Sequence, residues 1–371
     1  MKVIFITSSL EPGKDGVGDY TRILASAFIK LGHTVTALTL LDKFVTTEIT
    51  GTQFIDEVEL PIVRLPQSWG YKASFKRAGE LIKILDPDWI SIQFVIFSFN
   101  EKGLPFYLSD KFRGLTRGRY CHIMFHELWV GIHTSTSPKL SIWGWLQKQI
   151  IKNFLLQIKP FSIHTHTRLY QQKLNQIGFA AAYLPLFGNV PLKNKSLDID
   201  RVSNVKCIGL VFFGTLHTAV PVVDFVTELV ALGEINQLQF KVAFVGRTGP
   251  AIATWTAAFK KAAVRFTIYG ELATGLISEI LSESAIGIST TPILFSEKSG
   301  TIAAMREHGL PVICVAQEIQ LKNSEKLTPP PGVFKYSKGN FAKIFKGLKN
   351  TAGQYQVNQI AAQLAEVFLS V

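Results

Sequence analysis

Long hydrophobic runs are missing from this chain of 371 residues, and with them any segment of the length a bilayer crossing needs. The amino terminus offers no secretory pattern, because Val3-Ile4-Phe5-Ile6 is too short for a signal core and gives way at once to turn residues. Cysteine is scarce: Cys121, Cys207 and Cys314 lie far apart, in or beside strand-like segments. They read as buried thiols of a reducing compartment, which excludes a disulfide framework and a cysteine metal site. No zinc-finger or recognition-helix pattern occurs, no short repeat, and no low-complexity tract. The compact Gly-x-Gly-x-x-Gly of a dinucleotide oxidoreductase is absent, as is a carboxylate pair with acid–base spacing, which argues against glycoside hydrolysis.

What the chain does contain is apolar and basic. Hydrophobic residues make up 47% and charged residues 18%, so it is globular, and its length favours two domains. The net charge is +12. Residues 1–195 hold 23 Lys and Arg against 14 Asp and Glu, leaving the remainder only slightly basic. A basic first half suits an anionic lipid surface, a phosphorylated acceptor or nucleic acid, with generic solubility charge as the alternative. Nucleic acid ranks last and is not expected as a partner, because no recognition motif accompanies the charge.

The order of elements is legible. Val3–Thr7 reads as a strand, Ser8–Gly18 as a turn-rich loop, Asp19–Leu31 as a helix closed by Gly32, and Thr34–Leu40 as the next strand. That β–loop–α–β unit opens a doubly wound parallel sheet. Further strands are expected at Ile62–Leu65, Trp89–Phe94, His122–Phe125 and Ser162–Thr165. Apolar periodicity is lost over Leu192–Lys206, which marks a domain boundary. A second opening follows, with a strand at Ile208–Phe213, a loop from Gly214 to Pro221 and a helix at Val222–Leu232, then strands at Phe240–Val245, Arg265–Tyr269 and Ile286–Ser289. Tyr355–Leu369 is an amphipathic terminal helix.

The most informative stretch runs from Glu297 through Lys298-Ser299-Gly300-Thr301 to His308-Gly309-Leu310-Pro311-Val312. A polar, glycine-containing loop opens a small-residue helix, whose unpaired amides and dipole suit a phosphate. An ordinary capped helix closed by Gly309 is the alternative. Trp143–Leu155 mixes aromatic, aliphatic and basic residues at helical spacing. It suits either docking on an anionic membrane or core packing with snorkelling lysines.

Taken in order, these motifs resemble the GT-B-fold glycosyltransferases, specifically the family-4-like retaining enzymes that use nucleotide sugars. The resemblance rests on Leu31-Gly32-His33-Thr34-Val35 after the early glycine loop, Phe125-His126-Glu127, Phe187-Gly188-Asn189-Val190-Pro191, Phe212-Phe213-Gly214 and the Ser299-to-Val312 block. It implies two α/β, Rossmann-like domains facing across a cleft. The first, 1–195, would serve the acceptor, the second, 203–354, would bind the nucleotide sugar, and the helix of 355–371 would return to the first. It further implies a cytoplasmic enzyme, either free or peripheral on the inner membrane face, with no cofactor and no metal.

The roles implied residue by residue are as follows. His126 meets the donor sugar at the reaction centre, with Glu127 and Gln93 facing the acceptor. Gly16, Gly18 and Gly214 let backbone approach the donor, and Glu297, Ser299, Gly300 and Thr301 hold its diphosphate. Two departures stand out. The Gly214–Val220 loop lacks the family's basic pair, so Lys298 and Arg247 are the candidate cations. The second of two glutamates spaced eight apart is replaced by Met305, and Glu307 reads as a helix-surface charge. The implied reaction is retaining transfer of a sugar from a nucleotide-sugar donor to a hydroxyl of a saccharide or lipid-linked saccharide. The alternative is a catalytically degenerate paralogue acting as a binding or scaffold subunit of an active transferase. A nucleotide-sugar epimerase on the same architecture is the third.

Overall fold

The computed structural model describes residues 1–132, 136–192, 206–319, 321, 327–348 and 356–371. Two compact units emerge: Met1–Pro185 with Val357–Val371, and Leu186–Ile319 with Lys326–Gln356, which carries the strand Val333–Lys335 and the helix Phe341–Gly347. Most of the stretch that reads as a domain boundary, 193–205, lies outside the described residues.

The first unit is built on β1 (Lys2–Thr7), β2 (Thr34–Asp42), β3 (Ile49–Ile55), β4 (Val58–Pro66), β5 (Trp89–Phe94), β6 (Tyr120–Phe125), β7 (Ser162–Thr165) and β8 (Ala182–Tyr183). They lie in the order β3-β4-β2-β1-β5-β6-β7-β8. Every pairing is parallel except the β3–β4 hairpin at the edge. The central strands are buried along nearly their whole length, as parallel strands covered on both faces must be. Helix Val357–Leu369 closes one face. Phe368 stacks on Trp89 at 4.1 Å between ring centroids and 7° between planes, and the Trp89 Nε1–H donates to the Phe368 carbonyl at 3.2 Å.

The second unit contains β9 (Cys207–Phe213), β10 (Gln239–Val245), β11 (Arg265–Gly270), β12 (Ile286–Ser289), β13 (Val312–Cys314) and β14 (Val333–Lys335), ordered β11-β10-β9-β12-β13-β14 and all parallel. Helices cover both faces. One carries an aromatic core in which Phe212, Phe225, Trp255 and Phe259 are fully buried, and the other is aliphatic, around Val211, Leu281, Ile302 and Met305. Both sheets reverse direction in the middle, between β1 and β5 and between β9 and β12. In open α/β sheets those reversals are where ligands bind.

The cysteines need one correction. Cys121 and Cys314 are buried as expected, but Cys207, first residue of β9, is exposed.

Candidate functional site

At the reversal in the second sheet, the loop after β9 runs directly beneath the start of helix Gly300–Glu307. Gly214 sits at φ +86°, a left-handed conformation that favours glycine, and a Cβ built on it would lie 2.7 Å from Thr301 Cγ2. Its amide donates to the Val245 carbonyl at the end of β10. Further along the loop, the His217 amide donates to Thr290 Oγ1 at 2.8 Å, just beyond β12, and the Leu216 amide donates to Thr248. The carboxyl ends of three neighbouring strands are therefore tied to one loop. On its other flank, His217, Val220 and Asp224 line a cavity of about 300 Å³ with Trp255.

Ser299 caps the helix: its Oγ accepts from the Ile302 amide at 3.4 Å, and its carbonyl accepts from the Ala303 amide. The amides of Gly300 and Thr301 precede the helix's own ladder, so they are placed to meet an external acceptor. Ser299 Oγ and Thr301 Oγ1 are 3.1 Å apart and supply hydroxyls beside those amides. Gly214, Ser299, Gly300 and Thr301 are thus brought together. Glu297 and Lys298 lie on the preceding 3₁₀ turn, half-buried, with Lys298 Nζ 5.2 Å from the centre of the Phe295 ring. Arg247 belongs to the loop after β10, is 64% exposed, and its Nε donates to Glu271 Oε2 at 2.8 Å. An exposed pair of this kind is weak and exchangeable.

Met305, at the place where the resemblance implies a ribose-binding glutamate, is fully buried, and its sulfur stands where a Cβ on Gly287 would have to be. That position faces the core, so it has no route to a ligand. Glu307 is not a surface charge either. It is buried, accepts from the Gly188 amide at 2.9 Å, and burial pushes its carboxyl up to about 7 against that hydrogen bond. Gly188 belongs to the Phe187–Pro191 motif, which gives that motif a structural role. His308 is likewise internal, with Nδ1 donating to the Ala304 carbonyl and Nε2 2.9 Å from Ser278 Oγ.

In the first unit, the early glycine loop departs from its expected role. Asp15 accepts from the Val17 and Gly18 amides, and a Cβ on buried Gly18 would strike the Ser9 carbonyl at 2.3 Å. Gly18 is needed for that backbone contact, so its approach is to protein rather than donor. Gly16, the first helical residue, is exposed with open space around it. The loop itself is pinned by buried Asp42, which accepts from the Ser9 hydroxyl, the Leu10 amide and Arg64.

His126 lies at the end of β6, and a chain of hydrogen bonds runs through it. His166 Nδ1 donates to the Leu184 carbonyl at 3.0 Å, and His166 Nε2 is 3.1 Å from His126 Nδ1. His126 Nε2 is 2.9 Å from the Gln93 amide, which is 2.9 Å from Ser91 Oγ. Ser91 Oγ is 2.8 Å from His122 Nδ1, and His122 Nε2 is 3.1 Å from His164 Nδ1. All six residues are buried, and Tyr20 from the first helix places its ring on edge against both His126 and His166.

The charge state of this chain follows from its acceptor end. With Gln93 Oε1 toward His126 and Nε2 toward Ser91, His126 Nε2 donates and its Nδ1 must accept from His166. His166 would then carry two protons. Turning the amide over reverses every bond up to His164 and leaves all four rings neutral. Burial holds His122 and His126 well below the usual imidazole range, with the neighbouring rings adding to the effect, and it lowers His164 and His166 to about 4. At neutral pH the neutral sense prevails, with His126 protonated on Nδ1. Both of its ring nitrogens are engaged within the unit, so the ring is a positioning element and not an open ligand for a sugar. Gln93 is similarly engaged on both sides. Glu127, which follows, is half-buried.

Of these six residues, sequence reasoning singled out His126 and Gln93. The spacing held the rest: His122 with His126, His164 with His166, and Ser91 with Gln93 are all an even number apart on adjacent strands. Even spacing puts them on one face of the sheet.

No protein-family model matches this sequence, and no curated protein does. Solved structures do match over the whole chain. HepE from Anabaena, in complex with UDP, covers 100% of both chains with a TM-score of 0.59 at 13% identity. The catalytic domain of starch synthase IV from Arabidopsis thaliana, bound to ADP and acarbose, covers 100% of this chain and 99% of its own, with a TM-score of 0.54 at 12% identity. UDP-GlcNAc 2-epimerase from Methanocaldococcus jannaschii covers both chains fully, with a TM-score of 0.53 at 10% identity. The architecture is therefore GT-B, an α/β fold of two Rossmann-like units.

Proposed function

We propose that this protein is a nucleotide-sugar-dependent glycosyltransferase whose second unit holds the donor diphosphate. The observation that carries the reading is the contact of Gly214 with Thr301, which sets the glycine loop against a helix start at the sheet reversal. Breaking the glycosidic phosphate bond develops negative charge on the leaving diphosphate. Preoriented amides of Gly300 and Thr301, with the Ser299 and Thr301 hydroxyls, stabilise such charge by several kcal/mol. Lys298 supplies the adjacent cation, and Arg247 a second once it releases Glu271. Glu297 remains as the polar group for the nucleotide. The likeness to structures described as holding UDP or ADP supports a nucleotide donor.

The finer reading is retaining, metal-independent transfer to a hydroxyl of a saccharide or lipid-linked saccharide, with Glu127 on the acceptor side. The departing diphosphate would itself accept the hydroxyl's proton, since the sequence shows no carboxylate pair with acid–base spacing for that work. Calorimetric titration with UDP, GDP and ADP tests the donor site. Lys298→Ala and Arg247→Ala should each weaken the preferred nucleotide severalfold, and turnover of radiolabelled hexose donors should persist in EDTA. Absence of binding to all three nucleotides would end this reading. Conversion of UDP-GlcNAc to its 2-epimer without any transfer would move the chain to the epimerases.

A further inference from the structure

Helix Pro138–Ile158 is apolar on both sides. Its inner side, with Gln147, Ile150, Ile151, Phe154 and Leu155, is buried in the first unit. Its outer stripe, Ile142, Trp145, Gln149, Lys152 and Leu156, follows the i, i+3, i+7 spacing of one helix face. Three members of that stripe are large and apolar: Ile142 is 63%, Trp145 58% and Leu156 54% exposed. A solvated helix face would carry interleaved acids and bases instead.

The seating of the helix forces this outward display. A Cβ on Gly144 would lie 2.0 Å from the Val130 carbonyl, and Gln147 Oε1 accepts from the Val130 amide at 2.9 Å, so the helix cannot roll its tryptophan inward. The Trp143 indole N–H donates to the Lys102 carbonyl, fixing the neighbouring loop, which exposes Phe106.

The charge pattern names the partner. The helix has no acidic residue, while Lys139, Lys148 and Lys152 lie along it and Lys159 caps its end. From residue 128 to residue 197 the sequence contains no Asp or Glu at all, against eight Lys and Arg. Absence of carboxylates over 70 residues, combined with outward Trp, Ile and Leu, matches a surface that is anionic outside and apolar beneath. A second copy of this chain would bring another lysine-bearing helix without carboxylates against the first, so no acidic partner would meet Lys139, Lys148 or Lys152, which disfavours a symmetric helix pair.

We infer that the outer face of Pro138–Ile158, with Trp145, Ile142 and Leu156 inserted and Lys139 and Lys152 at the headgroups, docks this protein onto an anionic lipid bilayer. This goes beyond the donor chemistry and does not depend on it, because docking is measured without nucleotide.

The test is co-sedimentation of the full chain with vesicles of phosphatidylcholine, with and without phosphatidylglycerol, at low and high salt. Binding should require phosphatidylglycerol and weaken with salt. Lys139→Gln and Lys152→Gln should each lower the partition coefficient about fivefold, and Trp145→Ala about tenfold or more. Because these side chains are exposed, the variants should melt as wild type does, and UDP affinity should stay unchanged. Lys152→Glu is a further variant that should abolish binding at low salt. Equal binding to neutral vesicles, no binding to either kind, or self-association lost in Trp145→Ala would overturn the inference.

Discussion

The Cα of Gly214 faces the Thr301 side chain so closely that one added carbon would lie 2.7 Å from Cγ2, well inside van der Waals contact. Two separate penalties follow for Gly214→Ala, the clash and the positive φ of +86°. Together they should destabilise the second unit by about 2 kcal/mol and lower nucleotide affinity at least tenfold. Pairing the change with Thr301→Ser removes the methyl that is struck. Stability should then return in part, the conformational share of the penalty staying. Urea denaturation and calorimetry of the four proteins measure both effects.

The histidine chain makes a prediction about pH. His164 and His166 titrate near 4 when folded and near 6.5 when unfolded. Between those values the unfolded chain binds more protons, so stability is fully present above about pH 6.5 and declines as pH falls toward 4. At pH 5 each ring should cost the first unit about 2 kcal/mol relative to pH 7.5. The depressed His122 and His126 add loss of the same sign. Urea midpoints across that range should fall steeply, and His166→Phe should flatten the slope. The ¹⁵N shifts of His126 at neutral pH should report a proton on Nδ1, and one on Nε2 would refute the neutral sense of the chain.

Alternation of strand and helix was readable because parallel strands covered on both faces are continuous apolar runs. Trp89–Phe94, Ser162–Thr165 and Ile286–Ser289 have the same bounds in sequence and structure. Strand β3 escaped notice, although its hairpin partner β4 was expected in part at Ile62–Leu65, because Ile49–Ile55 is mostly exposed and lacks that signature. At the site, Ser299, Gly300 and Thr301 were legible as a helix start, since capping chemistry is local. The fates of Gly18, Met305 and Glu307 were not. Each depends on a neighbour distant in sequence or on the far side of a turn: the Ser9 carbonyl, Gly287 and the Gly188 amide.

Trp89 and Phe368 bind the chain's last helix to the first sheet through a near-parallel stack and one hydrogen bond. Phe368→Ala removes the stack and opens a cavity beside a fully buried indole, so it should cost about 3 kcal/mol. The loss should appear in the unfolding of the first unit, followed by Trp89 fluorescence in a variant with the other tryptophans replaced. Nucleotide affinity should be unaffected, because Gly214 and Thr301 belong to the second unit.

Glu307 carries the opposite pH signature to the histidines. Its carboxyl titrates at about 7 when folded and near 4.5 when unfolded, because burial disfavours the charged form more than the Gly188 amide favours it. The folded chain binds more protons in that interval, so its contribution to stability is greatest below about pH 4.5 and is lost as pH rises through 7. Glu307→Gln keeps the size and an acceptor for the Gly188 amide while removing the charge. The substitution should therefore stabilise the second unit by roughly 3 kcal/mol at pH 8 and by almost nothing at pH 4.5. Thermal denaturation at the two pH values decides the matter: an equal effect at both, or destabilisation at pH 8, would show that the carboxylate is already well accommodated when charged.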